Sequence, residues 1–224
     1  MSIQENIQHF KEKELSRGVK LVAVSKTKPT EAIMEAYEAG HKIFGENKVQ
    51  ELVDKHDQLP EDIEWHMIGH LQSNKVKYLA PFVNLIHGVD KAKLLKVINK
   101  EGSKNNRVLD VLLQFHIARE ESKFGFNYQE ARDMLESEEF RGYDFVRIRG
   151  VMGMATFTDN MDQVRAEFRQ LAQIYRDLKG DLFHDDPGFK EISMGMSNDY
   201  KIALEEGATI VRIGSLIFGE RNYH

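Results

Sequence analysis

No cysteine occurs among the 224 residues, which excludes disulfide bridges, thiolate catalysis and cysteine metal ligands together. A long run of lysine and arginine is missing as well. With 31 basic against 36 acidic residues the formal charge is −5, so no nucleic-acid surface is expected. Lysines and glutamates are interleaved instead, as on solvated helix faces. The start, Met1-Ser2-Ile3-Gln4-Glu5-Asn6, has no basic segment leading into an apolar core. Neither a secretion signal nor a membrane anchor is therefore expected, and the cytoplasm is the expected location. There is no internal repeat, low-complexity tract or composition shift that would mark a linker. Residues 1–224 read as one domain of the larger single-core type.

What is present is an alternation of strand and helix patterns. Strands are predicted at Lys20 to Ser25, Lys42 to Phe44, Glu64 to Ile68, Leu85 to His87, Val108 to His116, Ile148 to Met152, Glu191 to Met194 and Thr209 to Ile213. Helices are predicted at Thr30 to Ala39, Lys48 to His56, Ser73 to Leu79, Lys91 to Glu101, Gln129 to Glu136, Met161 to Leu178 and Asn198 to Glu206. Eight such units suffice to close a parallel sheet, so the expected fold is a single (β/α)8 TIM-type barrel. An open doubly wound sheet is the alternative; it would want a glycine-rich loop after the first strand, where this chain has Ser25-Lys26-Thr27-Lys28-Pro29. Gln4 to Ser16 reads as an additional N-terminal helix, covering the barrel's end or standing in for a missing eighth helix.

Lys26 is the first chemical candidate, because a buried strand delivers it to its C-terminal mouth. Loss of hydration there disfavours the ammonium and exposes a nucleophilic amine, the setting of a Schiff-base lysine. A solvated lysine at a strand end is the other reading. Near the C-terminus stand two glycine turns, Ser193-Met194-Gly195-Met196-Ser197-Asn198-Asp199 and Val211-Arg212-Ile213-Gly214-Ser215. Ser197 reads as the N-cap of the helix that follows. Backbone N–H groups there, with those of Gly214 and Ser215, can converge on one phosphate, and in a TIM barrel the loops after strands seven and eight are the usual place for one. Each turn alone is also consistent with an ordinary loop or C-cap.

Arg212 and Gly214 are two apart and so share one side of the last strand. A paired structural arginine is the alternative to a ligand contact. Asn47 follows the second strand, where its residue type reads as a helix N-cap. His66 and His70 are not read as a metal pair, since four residues along a strand span roughly 13 Å. His66 reads as barrel-lining and His70 as a loop residue, with contact to substrate as the alternative. Met152, Met154, Met194 and Met196 bracket two strand ends, and one or two of them, Met194 first, are expected against a bound ligand.

Taken together the motifs resemble the pyridoxal phosphate homeostasis proteins, a family related in fold to the N-terminal domain of alanine racemase. The matching pieces are Leu21-Val22-Ala23-Val24-Ser25-Lys26-Thr27, Phe44-Gly45-Glu46-Asn47, Trp65 to Lys75, Glu121 to Gly125, Gly150 to Met154, Ser193 to Asp199 and Val211 to Gly214. The resemblance implies pyridoxal 5′-phosphate (PLP) held as an imine on Lys26, its phosphate at Ser197 and the Gly214-Ser215 turn, and Arg212 beside the pyridine nitrogen. It also places Asn47 near the ring's O3′ region and matches Lys123 to a family lysine in a loop. Gln72, Asn74 and Lys75 match a family loop without a deducible role.

An arginine has only donors to offer, so a pyridine nitrogen facing it must accept and stay unprotonated. That weakens the ring as an electron sink and argues against an aminotransferase. The expected function is to buffer or deliver PLP without turnover, with no catalytic residue and no metal, as a monomer whose partners are PLP and apo PLP-dependent enzymes. The alternative is a small PLP-dependent amino-acid racemase. Racemisation needs proton donors and acceptors on both faces of the α-carbon; Lys26 could serve one, but the second β-rich domain that supplies a tyrosine in alanine racemase is not seen in this chain, and Tyr223 lies at a terminus. A barrel enzyme acting on sugar phosphates is disfavoured because Glu46 is the only carboxylate candidate at a strand end.

Overall fold

In the computed structural model, which describes residues 1–15, 18–119 and 124–220, eight parallel strands close into a barrel in chain order. Helix α1 (Ile3–His9) runs on into a π-helical turn, Phe10–Glu14, and is followed by β1 (Lys20–Val24), α2 (Thr30–Glu38), β2 (Ile43–Glu46), α3 (Val49–His56) and β3 (Glu64–Met67). A 3-10 turn, Ser73–Lys75, leads into α4 (Val76–Leu79), and then come β4 (Leu85–Val89), α5 (Ala92–Lys104), β5 (Leu109–Gln114), α6 (Tyr128–Glu136) and α7 (Glu138–Arg141). The chain ends with β6 (Val146–Met152), α8 (Met161–Asp181), β7 (Glu191–Met196), α9 (Tyr200–Glu205), β8 (Ile210–Ile213) and α10 (Ser215–Phe218). All eight expected strands are found. Closure is made by β1 on β8, with Val22 opposite Arg212 and Ala23 opposite Ile213.

Alternation along the strands sorts side chains into two cores. Leu21 and Ala23, Trp65 and Met67, and Val211 and Ile213 face the helices and join the main apolar cluster. Val22, Ile68, Leu85, Leu112, Met152 and Ile210 form a smaller cluster. These are the inward-facing positions that fill a small parallel barrel.

The N-terminal helix takes the place of the eighth outer helix. Ser2 opens it with a capping box, its hydroxyl accepting from Glu5 N and its own N–H donating to Glu5 Oε2. Ile7 and Phe10 are buried, Asn6 Nδ2 donates to Ile217 O in α10, and Tyr200 OH in α9 donates to Glu14 Oε2 at 2.8 Å. Helix α10, a single turn that the sequence reading missed together with α7, is too short to cover the β8–β1 seam itself. Among the described residues no helix is long and apolar enough to cross a membrane.

Candidate functional site

The C-terminal strand ends surround a cavity of about 900 Å3, and Lys26, Asn47, Ser197, Arg212, Gly214 and Ser215 all line it. Six of the seven expected ligand contacts are therefore brought to one place. Lys26 is half-buried in the turn after β1. The backbone on either side of it is held by a network between α3 and the end of β2. Lys55 Nζ donates to Ser25 O at 2.8 Å and to Glu46 Oε1 at 2.7 Å, Ser25 Oγ donates to Glu46 Oε1 at 2.6 Å, and Thr27 N donates to Glu51 Oε1 at 2.5 Å. Burial pushes the Glu46 carboxyl up, outweighing the attraction of Lys55. Glu46 is thus committed to this network and is not among the residues of the cavity wall.

Arg212 forms a deep part of the wall, 4% exposed. Its Nη1 donates to Ser193 Oγ at 2.6 Å and its Nη2 to Gly153 O at 3.2 Å, so these partners are neutral oxygens rather than a carboxylate. Burial lowers its pKa to about 10, with Asp199 acting in the opposite sense. The guanidinium remains charged at any ordinary pH.

The two glycine turns meet, although not as the N-cap reading expected. Helix α9 begins at Tyr200 with Asp199 as its N-cap, so Ser197 caps nothing. Asp199 Oδ1 accepts from Met196 N at 2.5 Å and folds residues 197–199 into a turn ahead of the helix. Ser197 Oγ instead accepts from Gly214 N at 3.4 Å, which ties one turn to the other. Gly214 is the N-cap of α10, where Ile217 N and Phe218 N donate to Gly214 O while the N–H groups of Ser215 and Leu216 have no acceptor within the turn.

Met194 is the expected contact that the structure does not bring to the cavity. It is fully buried in the main core on the helix side, and Met196 and Met154 line the wall instead. The neighbouring Ser193 points into the barrel toward Arg212, so strand alternation turns Met194 outward. It is Met196 whose place on the wall goes with Gly195, at φ 88°, and with a register shift of β7 against β8 between Ser193 and Met196. A Cβ at Gly195 would lie 2.5 Å from Ala203 Cβ, so only glycine lets the strand bend over α9 here, and the bend resets the alternation.

Asn47 stands before Lys48, the N-cap of α3, so its capping alternative is removed. Gly69 packs against its backbone, where a Cβ would come 2.4 Å from Asn47 O. His66 and His70 have separate partners: His66 Nδ1 lies 3.0 Å from His87 Nε2 inside the barrel, whereas His70 lines the cavity, stacked on Phe124, with Nδ1 3.3 Å from Asp90 Oδ2. Among the described residues no group of three or more metal-ligating side chains is assembled. Gln72, Asn74 and Lys75 form the turn into α4, away from the wall. Lys123 and Tyr223 lie outside the described residues.

Sequence reasoning missed several wall residues. Lys28 Nζ donates to Phe218 O, Gly219 O and Glu220 O and so caps α10 from the β1–α2 loop. Gln114, Phe124, Thr156 and Phe157 also line the cavity. Ser193 stood inside a recognised motif and His87 at a predicted strand end, yet neither carried a signal of its own.

The model of the alanine racemase N-terminal domain family matches residues 1–222. A pyridoxal phosphate homeostasis protein of Aquifex aeolicus is 43% identical over 205 residues, covering 91% of this chain and 88% of that protein. The one from Escherichia coli K12 is 37% identical over 209 residues, covering 92% and 87%. Among solved structures, PipY of Synechococcus elongatus PCC7942 with PLP bound superposes with a TM-score of 0.86 at 33% identity, covering 97% of this chain and all of that one. Alanine racemase of E. faecalis shares the fold, with a TM-score of 0.69 at 15% identity over 98% of this chain and 58% of that chain.

Proposed function

This chain belongs to the pyridoxal phosphate homeostasis protein family, and from that premise we propose that it binds PLP and buffers or delivers it in the cytoplasm, as one domain over residues 1–224. The observation that carries the reading is the convergence of Lys26, Arg212 and the two glycine turns on one cavity. PLP supplies an aldehyde, which condenses with a primary amine to an imine with loss of one water, and a phosphate ester. The residues present fit both ends. Lys26 offers the amine. Ser197 and Ser215 offer hydroxyls and Ser215 a helix-start N–H to the phosphate, with the Gly214 N–H, which donates to Ser197 Oγ, beside them. Arg212 offers only donors and therefore suits a ring nitrogen that keeps its lone pair. Asn47 offers an amide to the ring's hydroxyl.

Delivery to apo PLP-dependent enzymes, without turnover by a monomer, is the form of the function we favour. An arginine in this place holds the ring nitrogen unprotonated and so limits carbanion chemistry. A racemase is the second reading, because His70 beside Asp90 puts another ionisable group on the wall besides Lys26.

Absorption spectra of the purified protein, before and after PLP addition, test the binding. Borohydride reduction and peptide mapping should then place the label on Lys26. A label chiefly elsewhere, or none, overturns the assignment. Lys26→Ala should lose the imine band and keep part of the affinity through the phosphate.

A further inference from the structure

Arg212 is one end of a buried chain of hydrogen bonds that crosses the barrel. Its Nη1 donates to Ser193 Oγ at 2.6 Å, Ser193 Oγ lies 2.9 Å from His87 Nδ1, and His87 Nε2 lies 3.0 Å from His66 Nδ1. The four residues come from β8, β7, β4 and β3, and none is more than 4% exposed. They meet only because the sheet closes.

The donors in this chain can be assigned from chemistry. A guanidinium cannot accept, so Ser193 Oγ accepts from Arg212 and its single hydrogen is free to point at His87 Nδ1. An imidazole that accepts at Nδ1 carries its hydrogen on Nε2, which donates to His66 Nδ1. Every link is then made with both histidines neutral. Burial favours that state: His66 is lowered to about 3, and His87 lies well below the usual histidine range, with the positive charge of Arg212 contributing. Two of the five guanidinium N–H donors go to Ser193 and Gly153, and the residue lines the cavity.

A barrel usually satisfies a buried arginine with a carboxylate. The partner set here is neutral throughout, and it fixes the plane of the guanidinium from two sides. Resting on the reading that Arg212 faces the ring nitrogen, we infer that Ser193, His87 and His66 are positioning residues that select a ring bearing a nitrogen lone pair. They hold the arginine's donors toward that atom without a carboxylate among its hydrogen-bond partners. A carboxylate in their place would draw the guanidinium into an ion pair and weaken its claim on the ring.

The test is equilibrium binding of three ligands to the full chain: PLP, its 1-deaza analogue in which C–H replaces the ring nitrogen, and pyridoxal without phosphate. The wild type should prefer PLP to the deaza analogue by roughly 10-fold or more, the scale of a hydrogen bond to a charged group. Ser193→Ala, which removes one oxygen, and His87→Asn should each reduce that preference to within about threefold. Their preference for PLP over pyridoxal should be unchanged. Because each ratio is taken within one variant, a general loss of affinity cancels. Should either variant fail to fold, His66→Asn, the link farthest from Arg212, is read in its place and should also lower the ratio. A wild-type preference that survives in the variants overturns the positioning role alone. No preference in the wild type overturns the placement of Arg212 at the ring nitrogen and this inference with it, while leaving the phosphate and Lys26 contacts standing.

Discussion

Lys55 and Glu46 form a solvent-excluded ion pair, 2.7 Å apart, whose real load is the backbone around Lys26. Lys55 also holds Ser25 O, and its second carboxylate partner, Glu51, holds Thr27 N. Thr27 sits at φ 64°, a left-handed conformation that a β-branched residue adopts only under constraint. Lys55→Met should destabilise the fold by about 3–5 kcal/mol, since it strands a buried carboxylate beside an unmade bond to Ser25. Adding Glu46→Gln should recover part of the loss. Urea denaturation reads both, and a single-variant cost below about 1 kcal/mol would show that the pair carries no load.

Gly69 is predicted to be intolerant for a local reason. A methyl group there meets the Asn47 backbone, not a movable side chain, so Gly69→Ala must displace the end of β2. PLP affinity should fall by at least about tenfold while Lys26 still labels on borohydride reduction. Unchanged affinity would remove Asn47 from the contact set.

The N-terminal helix should be part of the barrel's stability and not a detachable arm. Phe10 is 3% exposed and meets Tyr200 edge-on with ring centroids 5.4 Å apart. Phe10→Ala should cost about 3–5 kcal/mol by calorimetry or denaturant titration, as for a large core truncation. A cost under about 1 kcal/mol would show that the β8–β1 seam does not depend on this helix.

How much of this was legible in the sequence depended on whether the deciding contact was local. The strands, Lys26 at a strand mouth and the Arg212–Gly214 spacing follow from period-two alternation and turn chemistry, which are properties of a few adjacent residues. Met194 at a strand end is expected at the cavity, yet the same alternation turns it to the helices because Ser193 before it points into the barrel, and Met196 beyond Gly195 lines the wall instead. Serine is a good cap, which makes Ser197 the expected one, while Asp199, two residues on, accepts from Met196 N and delays the helix. The link from Ser193 to His87 was invisible for a different reason: it joins β7 to β4, which face each other only because the barrel closes.

Stability should fall as the pH drops below about 6.5. His41, His66 and His87 are buried, and burial is the largest cause of their lowered pKa values, about 4 for His41 and about 3 for His66. Above the unfolded value near 6.5 both states are neutral and the full stability is present. Below it the unfolded chain takes up protons that the folded one refuses, so stability is lost down to about pH 4 for His41 and about pH 3 for His66. Each such histidine contributes up to about 1.4 kcal/mol per pH unit within its window. The urea midpoint at pH 5 should lie below that at pH 7, and His41→Asn should flatten the difference. A midpoint independent of pH would mean that these imidazoles are not held neutral.

Carrier and racemase part at turnover. Phe157, 84% exposed, and Phe124, 56% exposed, line the cavity, and Lys26 is only half-buried, which leaves it within reach of water and incoming amines. Carbanion chemistry gains from excluding water and from a protonated ring, and Arg212 offers the ring nitrogen donors alone. Exchange of the cofactor gains from an open mouth, because an amine or water can reach the bond at Lys26 without a lid having to move. The holo protein should therefore neither racemise nor transaminate common L-amino acids above the rate of free PLP, and it should restore activity to an apo-aminotransferase. Chirality, keto-acid formation and the recovered transaminase rate can be followed from one preparation. Racemisation that disappears in Lys26→Ala and drops in His70→Gln would establish His70 as the second base and the chain as an enzyme. An apo-aminotransferase that gains nothing would remove delivery and leave PLP storage as the function that the cavity serves.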